Sequence, residues 1–376
     1  MKKALAVLLS AVMVLGLAAC AQQAAAPAPA PAAETQAAAP AATQAAAPAA
    51  TQAAAPAATE APKEEAPKEV ITFKVGFENS MEEPTGKAIQ YWADIVKEKG
   101  DGSIVLEVFP DSQLGDKNAL MDSMLLGERV ITLADGAFFA DYGVKDFGIT
   151  VGPFLYDNWD QVWKLMDSDL YKSWDKQLED VGIKILANNF IYGERHTMTT
   201  KKVEKLADLK GMKIRVPSNQ IQTLGMEALG CTATGMALGD VYQALQTGTI
   251  DGAENPLATL YGRKLQEVAK YIVLDGHVKM NTYWFCSADV FHGLTPEQQQ
   301  FLMDTAHEAG LFNNDLMVKA DDEYKAKFIE EGCEIVELSD EAYAEFAEAA
   351  KSFYDHADEF GWTPGLYDQI CQILGK

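Results

Sequence analysis

Three things are scarce in this chain of 376 residues, and each scarcity removes a class of protein. Cysteine is the first: five scattered residues are too few for a disulfide scaffold. Positive charge is the second: 31 Lys and Arg stand against 55 Asp and Glu, a net charge of −24. Residues 1–69 hold 4 of those bases and 5 of those acids, so residues 70–376 alone carry −23. Such a body has no broad electrostatic match with nucleic acid or an anionic membrane surface. Long apolar runs are the third: beyond the first 20 residues none approaches the roughly 18 needed to span a bilayer. Catalytic signatures are missing as well. There is no GxxxxGK[ST] loop, no GxSxG elbow, no HExxH and no complete GxGxxG. The histidines (His196, His277, His292, His307, His356) show no i,i+4 pairing, so neither a metal nor a cofactor is expected. Cys231, Cys286, Cys333 and Cys371 read as small buried apolar residues. Nothing calls for turnover, and no catalytic residue is assigned.

What is present begins with a secretory layout. Met1-Lys2-Lys3 is followed by an apolar stretch from Ala4 to Leu17 and then by Leu17-Ala18-Ala19-Cys20. Cys20 after small residues resembles the lipobox of bacterial lipoproteins. The resemblance implies a signal over 1–19, lipid on Cys20 and an anchor in membrane lipid. The segment 20–69 is low-complexity: AAAPAATQ stands at 37–44 and 45–52, and AAAPAATE at 53–60. A proline every eight residues prevents a long helix, and alanine alone builds no core. A flexible tether is expected, spanning roughly 40 Å as a coil.

From Val70 onward strand and helix patterns alternate. Strands are predicted at 70–77, 103–109, 129–134, 183–191, 196–200, 212–216, 270–275 and 281–288. Helices are predicted at 85–99, 116–127, 158–181, 218–229, 239–247 and 256–267. The alternation predicts an α/β architecture, and about 307 residues exceed what one core usually holds, so two lobes are expected. From Thr295 to Glu331 the helical pattern runs unbroken by proline, with Gly310 as its weak point. That is about 50 Å of helix, long enough to bridge both lobes.

Arg215 is the most informative side chain. It stands mid-strand in Lys213-Ile214-Arg215-Val216-Pro217, on the face opposite its apolar neighbours. A buried guanidinium requires an anion, either an internal carboxylate or an incoming one. Arg195, in Tyr192-Gly193-Glu194-Arg195 at a predicted strand end, offers a second cation. Asn255, in the run Thr249-Ile250-Asp251-Gly252-Ala253-Glu254-Asn255-Pro256, is read either as a helix cap or as an amide facing a ligand.

These stretches carry a family resemblance. KIRVP, the run VYQALQTGTIDGAENP, Leu265 to Tyr271, Phe109 to Gly115 and Gly152 to Tyr156 resemble the solute receptor of tripartite ATP-independent periplasmic (TRAP) transporters. The similarity covers nearly all of 70–376. It implies a two-lobed periplasmic-binding-protein-like α/β fold whose cleft closes over a small organic acid, with a long helix crossing the lobes. Lobe I would comprise 70–192 plus 281–320, and lobe II 193–280 plus 321–376. The acid would pass to membrane permease subunits driven by an ion gradient, placing the receptor outside the cytoplasm, lipid-anchored. The resemblance further implies that Arg215 pairs with the ligand carboxylate, that Arg195 and Asn255 add contacts, and that Glu78 and Asp135 line the first lobe. Leu238 occupies a position that is an aromatic lid in some members, which argues against a sugar acid needing aromatic packing. A receptor for an ATP-driven importer and a ligand-sensing adaptor for a signalling protein remain alternatives, as does a carboxylate-processing enzyme on similar lobes.

Overall fold

The computed structural model describes residues 70–376; the signal, Cys20 and the tether lie outside the described residues. Nine strands form one continuous sheet: β1 (Ile71–Gly76), β2 (Ile104–Phe109), β3 (Val130–Ala134), β4 (Ile183–Thr199), β5 (Lys213–Val216), β6 (Thr232–Gly235), β7 (Gly252–Pro256), β8 (Tyr271–Ser287) and β9 (Glu334–Val336). Their order is β2-β1-β3-β8-β4-β7-β5-β6, with β9 on β8. Helices cover the sheet, as parallel strands require, and β1 pairs in parallel with β2 and β3 while β5 pairs in parallel with β6 and β7.

The sheet makes two lobes because β4 and β8 are each 17 residues long and serve both. The end of β8 joins β3 through pairs such as Ile131 with Cys286 and carries the start of β4 on its other edge. The end of β4 joins β7, where Thr197 faces Glu254, and the start of β8 joins β9. Between the two halves the β4–β8 register slips repeatedly, including at Ile191/Gly193 and Arg195/Thr197. Such bulges bend and twist a ribbon, and Gly193 (φ 130°) and Gly276 (φ 53°) supply the left-handed backbone there. The sequence predicts four separate strands at these places. Asn188 and Asn189 fall at an irregular position between Ala187 and Phe190, while Glu194 stays in register opposite Lys279, so the chain stays extended.

Trp92, Phe139, Phe147 and Trp284 anchor one core, in the first lobe. The second lobe holds two clusters, around Met198, Leu257 and Phe328 and around Ile214, Val216 and Phe346. The long helix, Pro296–Glu330, is a single 35-residue element started by Thr295, whose hydroxyl accepts from Gln298 N while the Gln298 side chain returns to Thr295 N. Leu302, Ala306 and Ala309 pack into the first core, and Met317, Ala320, Tyr324 and Phe328 into the second lobe. It therefore bridges both.

Several expectations need correction. The helix predicted over 158–181 is two, Trp159–Met166 and Asp169–Asp180, because Ser168 caps the second by accepting from Tyr171 N. The predicted 256–267 helix stops at Gly262. The helix at Gly136–Asp141 and the strands β6 and β9 had no assignment from sequence. The last stretch also departs from the expected division: Phe353, Trp362, Ile370 and Leu374 pack into the first core, not the second lobe. Their aromatic and aliphatic faces complete the surface beside Phe147 and Leu165. No helix among the described residues is long and apolar enough to cross a membrane.

Candidate functional site

Carboxyl ends of parallel strands, where the chain leaves the sheet, are where α/β folds open a crevice. Here β1 runs into Glu78, β3 into Asp135 and β6 into Met236, while Arg215 and Asn255 sit near the ends of β5 and β7. They converge on one cavity between the lobes, with about 520 Å³ of atom-free space partly open to solvent. Its lining, apolar side chains with a few converging charged and polar groups, is of the kind that binds small molecules. All six side chains singled out from sequence (Glu78, Asp135, Arg195, Arg215, Leu238 and Asn255) line it.

The two arginines differ sharply. Arg215 is 3% exposed, and its Nε and Nη2 both donate to the Met236 carbonyl, at 2.9 and 2.7 Å. Among the described residues no carboxylate pairs with it and Nη1 has no partner. Burial first, then the nearby Arg195 charge, pull its pKa down to about 10, against the pull of Glu254 and Glu78. It stays charged at neutral pH but is a cation short of an anion. Arg195 is equally buried but already neutralised: Nε reaches Glu254 Oε2 at 2.5 Å and Nη2 reaches Oε1 at 2.7 Å. This bidentate fork leaves Nη1 facing the Met280 sulfur at 3.4 Å. Arg195 also lies inside β4 rather than at a strand end. The expected second free cation is thus a spent one, fixing the wall instead.

Asn255 belongs to β7, opposite His196, and the following helix, Leu257–Gly262, has Pro256 at its cap with no side-chain bond. The capping role falls away. Its Oδ1 is buried without a hydrogen-bond partner among the described residues, an amide available to a guest. Asp135, by contrast, does cap a helix: Oδ1 accepts from Ala137 N at 2.9 Å, and Oδ2 accepts from Gln222 Nε2 across the cleft at 3.1 Å. Burial raises its pKa, opposed by the charges of Lys117 and Arg195 and by the Ala137 bond. Leu238 sits on a short 3₁₀ turn, and its N–H donates to Glu78 Oε1 at 3.4 Å, also across the lobes.

Sequence reasoning missed five residues. Tyr192 lines the cavity, its hydroxyl held by Asn79 and Thr259. Glu254 stood inside the IDGAENP run, and its place one residue before Asn255 was the available signal. Behind it His277 Nε2 lies 3.2 Å from Glu254 Oε2, and its Nδ1 lies 3.2 Å from Asp275 Oδ2, off the direction of a hydrogen bond. Thr197 donates to Asp275 Oδ2 at 2.6 Å. Nothing in the sequence pointed to His277, Asp275 or the cavity residue Lys117, because their partners are distant along the chain. Among the described residues no cluster of His, Cys, Asp or Glu is arranged to hold a metal ion.

Comparison with known proteins places the chain in a family. The family model for bacterial extracellular solute-binding protein, family 7, matches residues 75–359. A TRAP periplasmic solute-binding protein from Ochrobacterium anthropi, solved with bound L-fuconate, is 37% identical, with a TM-score of 0.78 over 81% of this chain and 99% of that one. One from Actinobacillus succinogenes, solved with L-galactonate, is 33% identical, with a TM-score of 0.76 over 81% and 99%. A 2,3-diketo-L-gulonate-binding periplasmic protein of Escherichia coli is 28% identical over 70% of this chain and 80% of its own length. This chain belongs to the bacterial extracellular solute-binding proteins of family 7, the solute receptors of TRAP transporters.

Proposed function

We propose that the chain captures a small polyhydroxylated carboxylic acid between its lobes and hands it to the permease subunits of an ion-gradient-driven TRAP transporter. The single observation that carries this is Arg215, a buried cation with a free Nη1 and no carboxylate partner among the described residues. Its fall from 12.5 to about 10 corresponds to roughly 3 kcal/mol of penalty on the charged form, which an incoming carboxylate would offset. Asn255, Arg195 and Leu238 shape the same lobe's side of the cavity, while Glu78 and Asp135 bring the opposite lobe to the guest. Leu238 disfavoured a sugar acid on sequence grounds, but relatives with 33–37% identity hold L-fuconate and L-galactonate. Hydroxyl-rich acids therefore move ahead of C4-dicarboxylates. Membership of this family favours a gradient-driven permease pair over an ATP-driven importer, and the relatives are receptors rather than enzymes.

The test is titration calorimetry of Arg215→Lys and Arg215→Ala against sugar acids that bind the natural chain. Breaking a desolvated charge pair costs about 2–5 kcal/mol, so affinity should fall by roughly 30- to 4,000-fold while the circular dichroism spectrum stays unchanged. Lysine should not rescue, since it lacks the planar fork. Unchanged binding by Arg215→Lys refutes the assignment.

A further inference from the structure

The first-lobe wall of the cavity carries a cation that no motif singled out. Lys117 opens the helix Lys117–Leu125, directly after Asp116, whose carboxylate accepts from Ala119 N. Its ammonium lies 3.7 Å from Glu78 Oε2, donates a long hydrogen bond of 3.4 Å to the Leu133 carbonyl, and stands 5.1 Å from the centre of the Phe138 ring. The 3.7 Å approach is a meeting of charges, not a hydrogen bond. Two of the three ammonium donors are thus uncommitted among the described residues. The Lys117 side chain is 15% exposed and that of Glu78 10%, so bulk water screens the pair only partly. Glu78 is steadied from the other lobe by Leu238 N.

The charges of the cavity can be matched in pairs. Arg195 is taken by Glu254 and Lys117 by Glu78, which leaves Arg215 as the one cavity cation without an acid among the described residues. Asp135 adds a carboxyl group near the same wall, and Asp116 stands at the solvent side. We infer that the Lys117–Glu78 pair on the first-lobe wall sets ligand specificity, accepting the ligand hydroxyl groups that reach it and rejecting a second carboxylate there. A hydroxyl both donates and accepts, and an ammonium beside a carboxylate offers the complementary acceptor and donor. A second carboxylate can only accept. It would compete with Glu78 for Lys117, and desolvating two acids beside one base is unfavourable. The pair therefore selects aldonic acids, with one carboxylate, over aldaric acids of the same length, with two. This rests on the reading of Arg215 as the carboxylate anchor.

The experiment titrates the full chain, Glu78→Gln and Lys117→Met with six-carbon aldonates and the corresponding aldarates, galactonate and galactarate among them. The natural chain should prefer the aldonate by at least about tenfold. Glu78→Gln keeps the shape but leaves Lys117 unmatched, so it should gain aldarate affinity and shrink that ratio by about tenfold or more. Lys117→Met should weaken the aldonate with no gain for the aldarate. Melting curves of the free variants confirm folding. A ratio that Glu78→Gln leaves in place, or equal binding of both acids by the natural chain, overturns the selector. If aldonate binding is lost in Arg215→Lys while that ratio stays fixed, the anchor stands and only the selector falls. If neither class of acid binds the natural chain, both fail.

Discussion

Arg195 and Arg215 show how neighbours decide what a residue can do. Both are buried, and the difference lies in Glu254, which grips the first and only biases the second through space. Burial pushes the Glu254 carboxyl up, but the Arg195 charge, the His277 hydrogen bond and the Arg195 hydrogen bonds outweigh it and hold the pKa at about 2. For His277 burial works downward, yet Asp275 and then Glu254 raise it from 6.5 to about 9. These are two faces of one network, so its contribution is counted once. Stability from Glu254 is complete above its ordinary 4.5 and is lost as pH falls toward about 2. Stability from His277 is complete below 6.5 and is lost as pH rises through about 9. The urea midpoint should therefore be flat between pH 4.5 and 6.5 and decline toward pH 9, by the order of a few kcal/mol in unfolding free energy. Arg195, Glu254, Asp275 and His196 all face the imidazole or its partners, so His277→Gln should flatten the alkaline limb. An unchanged limb in that variant would assign it to another group.

At the scale of the element, the long helix fits the sheet through a close approach. A Cβ on Gly310 would fall 2.3 Å from Asn189 Oδ1 and 2.5 Å from its Nδ2, and that amide donates to the His307 carbonyl at 2.9 Å. Helix propensity alone favours Gly310→Ala by roughly 1 kcal/mol. The contact with β4 works against that gain: Asn189 must swing away and lose its exposed bond, a cost of about 0.5–1.5 kcal/mol. We expect Gly310→Ala to give less than the propensity gain, and the full gain to appear only in an Asn189→Ala background, in chemical denaturation. Additive effects would show that the two residues do not interact. The same glycine was the weak point of the predicted helix. Its presence was legible, but the reason for it was not, since Asn189 lies 121 positions away in the sequence.

At the scale of the molecule, charge and anchoring belong together. Residues 70–376 carry −23, so an anionic membrane surface repels the folded body. Lipidation at Cys20, which its lipobox-like surroundings imply, would supply what that body lacks, acyl chains strong enough to hold it. Cys20→Ser should end labelling with radioactive palmitate and move the protein from the membrane fraction to the soluble one. Retention at the membrane without label would exclude the anchor.

The sequence by itself determined most of the elements, though not β6, β9 or the helix Gly136–Asp141, and what chemistry they bring. Alternation, caps and glycines write the strands and the long helix locally, and a lone arginine between Ile214 and Val216 announces an unmet charge. Tertiary structure alone decided which cations are already matched. Arg195 meets Glu254 across 59 positions, and Lys117 meets Glu78 across 39. Interaction energy between charges depends on separation in space and on burial, and neither quantity is written in the separation along the chain. A free guanidinium and a neutralised one therefore look alike in the sequence, and only the fold tells them apart.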